Sequence, residues 1–167
     1  ASRPGMAHTN IISRRLNREC VNFGFSGNAL LDLEVAKVMA EIDAGVFVLD
    51  FAPNASVKQI KERMVTFYQI IRAKHPQTPV LFVEDPVFTH VLFDQEIARE
   101  VEERNQALNE IFGTLKKNGE KNIYLIPSSE MLGKDGEATV DGVHFTDLGM
   151  MRYADLLCPI IKRFIAL

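Results

Sequence analysis

The 167 residues, 47% hydrophobic and 25% charged, suit a globular domain with one sizeable core. A net charge of -3, with the densest Lys and Arg stretches, 14–18 and 116–121, short, argues against nucleic acid as a partner, because phosphate binding needs clustered cations. No apolar run reaches the roughly 20 residues that a membrane-spanning helix requires.

The opening residues, ASRPGMAHTNIISRRL, lead into a first helix. ECVNFGF (19–25) then reads as a short strand ending in Gly and Ser, and ALLDLEVAKVMAEI (29–42) as a helix with Leu30, Leu33, Val38 and Ile42 at helical spacing. GVFVLDF (45–51) is a continuous apolar run of strand length, the pattern of a strand buried on both faces. Residues 56–75 place Ile60, Met64, Phe67 and Ile71 on one stripe, with Ser56 as N-cap and a stop before Pro76. TPVLFVED (78–85) is a further buried strand. A charge-laced helix follows from Asp94 to Lys117, with Ile97, Val101, Leu108, Ile111 and Leu115 inward, and then the strand NIYLIP (122–127). A loop of Gly and small or polar residues runs from Ser128 to Val143. The last helix is capped by Thr146 or Asp147 and extends to Leu167. The two cysteines, Cys20 and Cys158, lie in apolar-leaning segments and read as small buried hydrophobes rather than a disulfide.

Strands alternating with helical crossovers predict an α/β domain: a three-layer, flavodoxin-like parallel sheet with helices on both faces, spanning 1–167 as a single domain. In such sheets functional groups collect at the carboxyl ends of the strands. Those ends carry GFSGN (24–28), DFAPNAS (50–56), EDPVFTH (84–90) and the loop leading to Asp141 and His144.

Asp141 and His144 form a D-x-x-H pair before the last helix. A hydrolase that activates a hydroxyl needs an imidazole base and a group to hold its tautomer, and an Asp three residues earlier can fold back to accept the Nδ1 proton. The alternative is an Asx-type turn at Asp141 with His144 a bystander. Asn54, after a buried strand, offers an amide to a developing oxyanion or simply completes a Pro-Asn turn. Gly27 offers a backbone N–H to the same oxyanion or marks a plain turn, with Ser26 or Asn28 capping the next helix.

Taken together and in this order, GFSGN with Gly27, APNAS with Asn54, and DGVHFTDLG with Asp141 and His144 resemble the SGNH hydrolases, also called GDSL esterases. The third block, D-G-x-H-x-T-x-x-G followed by a helix, is the most specific. DFAPN departs from the commoner GxND form. The opening ASRPGM, with DFAPNAS, looks most like a bacterial branch in which the esterase domain follows a separate N-terminal β-domain. The resemblance implies hydrolysis of short acyl or acetyl esters, carbohydrate esters included, with His144 as base, Asp141 orienting it, and Gly27 and Asn54 in the oxyanion hole. It also implies a periplasmic or secreted setting. The family's first block, a strand ending in the nucleophilic Ser, is absent from these residues. That strand lies centrally in the family's sheet, and omitting it would leave buried backbone groups unpaired. The expectation is that strand and Ser are supplied upstream of Ala1. Ser26 is the backup nucleophile, its expected job being a turn or cap, and Ser2 is expected near the site without reacting.

Weaker candidates are Glu84 and Asp85 at a strand end, which either hydrogen-bond a substrate or cap the turn before Pro86, and His90 in PVFTHVLFD, which reads as a surface-loop His or a substrate contact. His8 faces site or solvent, and His75 reads as a helix-end residue. Phe88 and Phe93 either wall an acyl pocket or pack under the loop. No metal-ligand spacing and no phosphate-binding Gly loop is present, so neither metal nor cofactor is expected. Two rivals remain: an esterase-like binding domain without a nucleophile, and a receiver-type α/β domain, for which NFGFSGN lacks the acidic residues.

Overall fold

The computed structural model describes residues 2–165, without the side chain of Glu130. Three parallel strands, β1 (Phe47–Leu49), β2 (Val80–Val83) and β3 (Ile123–Ile126), form a sheet in the order β1-β2-β3. Phe47 pairs with Val80, and Val80 in turn with Ile123. The helices are α1 (His8–Leu16), α2 (Leu33–Met39), α3 (Val57–Lys74), α4 (Gln95–Lys117) and α5 (Asp147–Lys162). This is the expected α/β class, three parallel strands with helices around them. The chain divides into two compact units: Phe23–Asp85 with Glu100–Ile126, and Ala1–Asn22 with Pro86–Arg99 and Pro127–Leu167.

The first of these units holds the sheet. One core joins Phe47, Leu49, Val80, Phe82 and Ile123 of the strands to Ile60, Met64, Phe67, Tyr68 and Ile71 of α3 and Ala107, Leu108 and Leu115 of α4. The stripe predicted for α3 is the stripe buried. Leu81 and Val83, pointing to the opposite face, are also fully buried, which explains why β2 reads as an unbroken apolar run. Helix α3 starts at a capping box. Ser56 Oγ accepts from Gln59 N–H, and Gln59 Oε1 accepts from Ser56 N–H at 2.8 Å, a motif worth about 1 kcal/mol. It ends at His75, as expected, where Pro76 disfavours further helix.

The chain enters β2 and β3 through two turns held by one guanidinium. Arg72 Nε donates to the Tyr68 hydroxyl at 2.8 Å, one terminal nitrogen donates to the carbonyls of His75 and Thr78 at 2.8 Å each, and the other to those of Lys121 and Asn122 at 3.3 Å each. Every N–H of the side chain is thus committed.

Four expectations fail in this unit or at its border. Residues 19–25 form no strand; Val21 and Phe25 are each 53% exposed, and a parallel strand without a hydrogen-bonded neighbour gains nothing from being extended. Cys20 in that stretch is exposed, whereas Cys158 is buried as expected. The helix expected over 29–42 shrinks to Leu33–Met39 because Leu31, 3% exposed, turns inward at φ 58°. Non-glycine residues adopt that conformation only at a cost of about 1–2 kcal/mol. Arg63 holds the bend by donating to Leu30 O and Asp32 Oδ1. In consequence Val38 is exposed and Ala36 faces inward instead.

In the other unit, α1 ends where Asn17 takes a left-handed conformation, and α5 begins with Thr146 Oγ1 accepting from Gly149 N–H at 3.1 Å. Arg15 of α1 pairs with Asp155 of α5 at 2.5 Å. Helix α5 closes at Lys162, short of the expected end, and Leu167 lies outside the described residues. Among the described residues no helix is long and apolar enough to cross a membrane.

Candidate active site

The loop before α5 carries the D-x-x-H pair. Thr139 and Phe145 form an antiparallel bridge, and Val140 N–H donates to His144 O at 2.8 Å, so residues 139–145 make a tight turn. At its tip one Asp141 oxygen accepts the N–H groups of Val143 and His144 at 3.0 and 2.8 Å, while the other lies 2.7 Å from His144 Nδ1. A carboxylate at neutral pH only accepts, so Nδ1 carries the proton and Nε2 is left as the basic nitrogen. The Asx turn and the carboxylate–imidazole contact therefore occur together, the turn aiming the carboxylate at the ring. The backbone donors and the His144 ring hold the Asp141 carboxyl well below the usual carboxylate range. The His144 side chain is 83% exposed, open to an incoming reactant.

The rest of the third block builds this turn. Gly142 has φ 91°, the left-handed region that favours glycine, and lies against His90: a Cβ at Gly142 would stand 3.2 Å from His90 Cβ. Thr146 caps α5 and donates its hydroxyl to Glu137 O at 2.9 Å. Gly149 sits on the first turn of α5, with Ala138 O where its Cβ would be. Beneath the turn, Phe88 is buried with its ring 6.3 Å from Phe145, so it packs under the loop, whereas Phe93 is exposed.

His90 belongs to the 3₁₀ turn Thr89–Leu92; its backbone N–H donates to Gly142 O at 3.0 Å, and its ring is half-buried, 3.9 Å from Asp94. His8 opens α1 with its ring edge-on to Tyr153, the centroids 4.8 Å apart, and Ser2 hydrogen-bonds the Asp147 carboxylate through both N–H and Oγ.

The sheet unit holds the remaining candidates. Gly27 follows Ser26 in an exposed turn closed by Asn28 N–H to Phe25 O at 2.8 Å; its φ of 68° explains the glycine, and nothing crowds it. Ser26 accepts the Asn28 side-chain amide on its carbonyl. Neither Ser26 nor Asn28 caps α2, whose N-cap is Asp32. Asn54 closes a turn through its N–H to Phe51 O after β1, and its side chain is exposed, with no hydrogen-bond partner among the described residues. Glu84 accepts from Asn109 Nδ2 at 2.8 Å.

Asp85 is fully buried at the end of β2. Arg104 Nε donates to its Oδ2 at 2.7 Å, and Asn105 clasps its backbone, accepting from Asp85 N–H at 2.7 Å and donating to Asp85 O at 3.0 Å. Its Oδ1 has no hydrogen-bond partner among the described residues. Burial pushes its pKa up to about 6, against the pull of Arg104 and with help from Asp50 and Glu100. The sequence carries no signal for this pair, since nothing in the local pattern links positions 85 and 104. Among the described residues no group of His, Cys, Asp and Glu is placed to hold a metal ion.

A parallel α/β sheet with an Asp-oriented imidazole on the loop before the last helix defines an SGNH-type chain. The model of the GDSL-like lipase/acylhydrolase family matches residues 1–162, and the chain belongs to that family. Among solved structures it is similar to a protein of Bacteroides ovatus ATCC 8483 described as a GDSL-like lipase (39% identity, TM-score 0.92, covering 97% of this chain and 48% of that one). It also shares its fold with the salicylyl-acyltransferase SsfX3 from a tetracycline biosynthetic pathway, at 16% identity and TM-score 0.78, covering 94% of this chain and 48% of the other. The chain thus spans about half the length of these proteins. No curated protein matches it.

Proposed function

We propose that this chain is the greater part of a serine esterase domain that hydrolyses short acyl esters, acetyl esters of carbohydrates among them. The observation that carries the reading is the 2.7 Å contact between His144 Nδ1 and Asp141 on an exposed turn. The nucleophile is the Ser of the family's first block, contributed by sequence preceding residue 1. Its Oγ attacks the ester carbonyl carbon as His144 Nε2 takes the hydroxyl proton, and the imidazolium is stabilised by Asp141. The tetrahedral oxyanion accepts hydrogen bonds from the backbone N–H groups of that Ser and of Gly27, and from the Asn54 amide. Collapse breaks the bond to the alcohol oxygen, which leaves with the proton from His144. Water then attacks the acyl-enzyme with His144 again as base, releasing the acid and restoring the Ser. Ser26, Glu84 and His90 are proposed to contact the substrate rather than react.

Fluorophosphonate labelling with peptide mapping tests this reading. The 167-residue chain should take up no label, and the protein with its preceding sequence should be labelled on a Ser there. Label on Ser26 would overturn the account of the nucleophile. Failure of both forms to label or turn over any short acyl ester would favour a binding domain of the same fold.

A further inference from the structure

The orientation of the His144 ring is set by the backbone of an exposed turn, because neither His144 nor Asp141 is packed in place. Within that turn Val143 and His144 donate to the Asp141 side chain, and Val140 donates to His144 O. Among the described residues one backbone bond reaches 140–144 from outside the loop, from His90 N–H to Gly142 O at 3.0 Å. A second tie lies beside it, where the Thr139 hydroxyl donates to Thr89 Oγ1 at 3.1 Å. Between the two ties Gly142 lies against the Thr89–Leu92 turn: a Cβ there would meet His90 Cβ at 3.2 Å and His90 N and Cα at 3.5 Å.

We infer that Thr89 and His90 are positioning residues. Their short 3₁₀ turn is a brace that holds the Asp141–His144 turn so that the carboxylate meets Nδ1. The inference rests on the proposed catalytic role of that pair. Side chains that must be correct to about half an ångström need such support when solvent surrounds them, and a misplacement of about 1 Å can cost about a hundredfold in rate. The brace acts through Asp141 and His144 and need not touch substrate.

The readout is the ¹⁵N spectrum of the His144 imidazole in the 167-residue chain, at a pH where the ring is neutral, together with the melting midpoint. The intact chain is expected to show the Nδ1–H tautomer, and Asp141→Asn to abolish that preference. Thr89→Val, which keeps the shape and removes the acceptor, should shift His144 away from Nδ1–H, and Thr89→Ser should restore it. Thr139→Val removes the same bond from the other side and should match Thr89→Val, so the outcome does not depend on one variant folding. A lower melting midpoint with unchanged His144 signals in both valine variants would overturn the brace and leave the pair intact. If Asp141→Asn itself leaves the ring unchanged, there is no pair to position, and both readings fall.

Discussion

Gly149 and Ala138 stand so close that a Cβ on Gly149 would lie 2.1 Å from the Ala138 carbonyl oxygen. The partner is backbone at the stem of the turn that holds Asp141 and His144, so it has no flexible end to move aside. On an exposed helix, Gly→Ala stabilises by up to about 1 kcal/mol. Here Gly149→Ala should destabilise, by about 1–3 kcal/mol as overpacking does, in urea unfolding monitored by circular dichroism. A stabilised variant would show that the approach relaxes freely.

His144 and Asp141 should matter for turnover in unequal ways. In the protein that includes its nucleophile, His144→Ala should abolish ester hydrolysis. Asp141→Asn should lower kcat about 10⁴-fold, because the amide permits the wrong tautomer. Retention of most activity by the His144 variant, measured on p-nitrophenyl acetate, would remove the imidazole from the mechanism.

Asn54 makes a sharper test of the oxyanion assignment, since its backbone closes a turn while its amide has no partner among the described residues. Asn54→Ala should reduce kcat about a hundredfold with little change in KM. A near-normal rate would return Asn54 to turn formation alone.

Asp85 gives folding a pH dependence of unusual sign. Its carboxyl titrates at about 6 when folded, against 3.8 as the ordinary value. Between pH 4 and 6 the folded chain therefore holds a proton that the unfolded chain has released, and stability from this group falls as pH rises through that window. The loss is about 3 kcal/mol at most. Asp135, Asp141 and Asp147, each lowered by its donors, act in the opposite sense and lose their contribution as pH falls below the ordinary carboxylate range. The difference in unfolding free energy between the parent chain and Asp85→Asn should accordingly shrink from pH 4 to pH 7. A constant difference would mean that Asp85 is ionised throughout.

Much of this was legible in the sequence where one segment decides its own structure. Ser56 and Gln59 lie three apart and cap α3, and Asp141 and His144 meet across a single turn. The apolar run at β2 announced its two buried faces. What depends on distant partners was not legible. The strand expected at 19–25 needs a neighbour to pair with, and the inward turn of Leu31 is held by Arg63 from another helix. Asp85 meets Arg104 because a strand end and a helix happen to be stacked. Gly142, Thr146 and Gly149 fall in between: the motif marked their positions, but only the fold gave each a reason.

Arg72 gathers the turns entering β2 and β3 at one end of the sheet, whereas Asn54, Glu84 and Asp85 follow the strands at the other. The densest polar tie of the sheet unit thus lies at the end opposite these candidate residues. Residues after the strands can therefore be exchanged without touching the guanidinium knot that fixes the entry turns. The two ends of the sheet are free to vary at different rates.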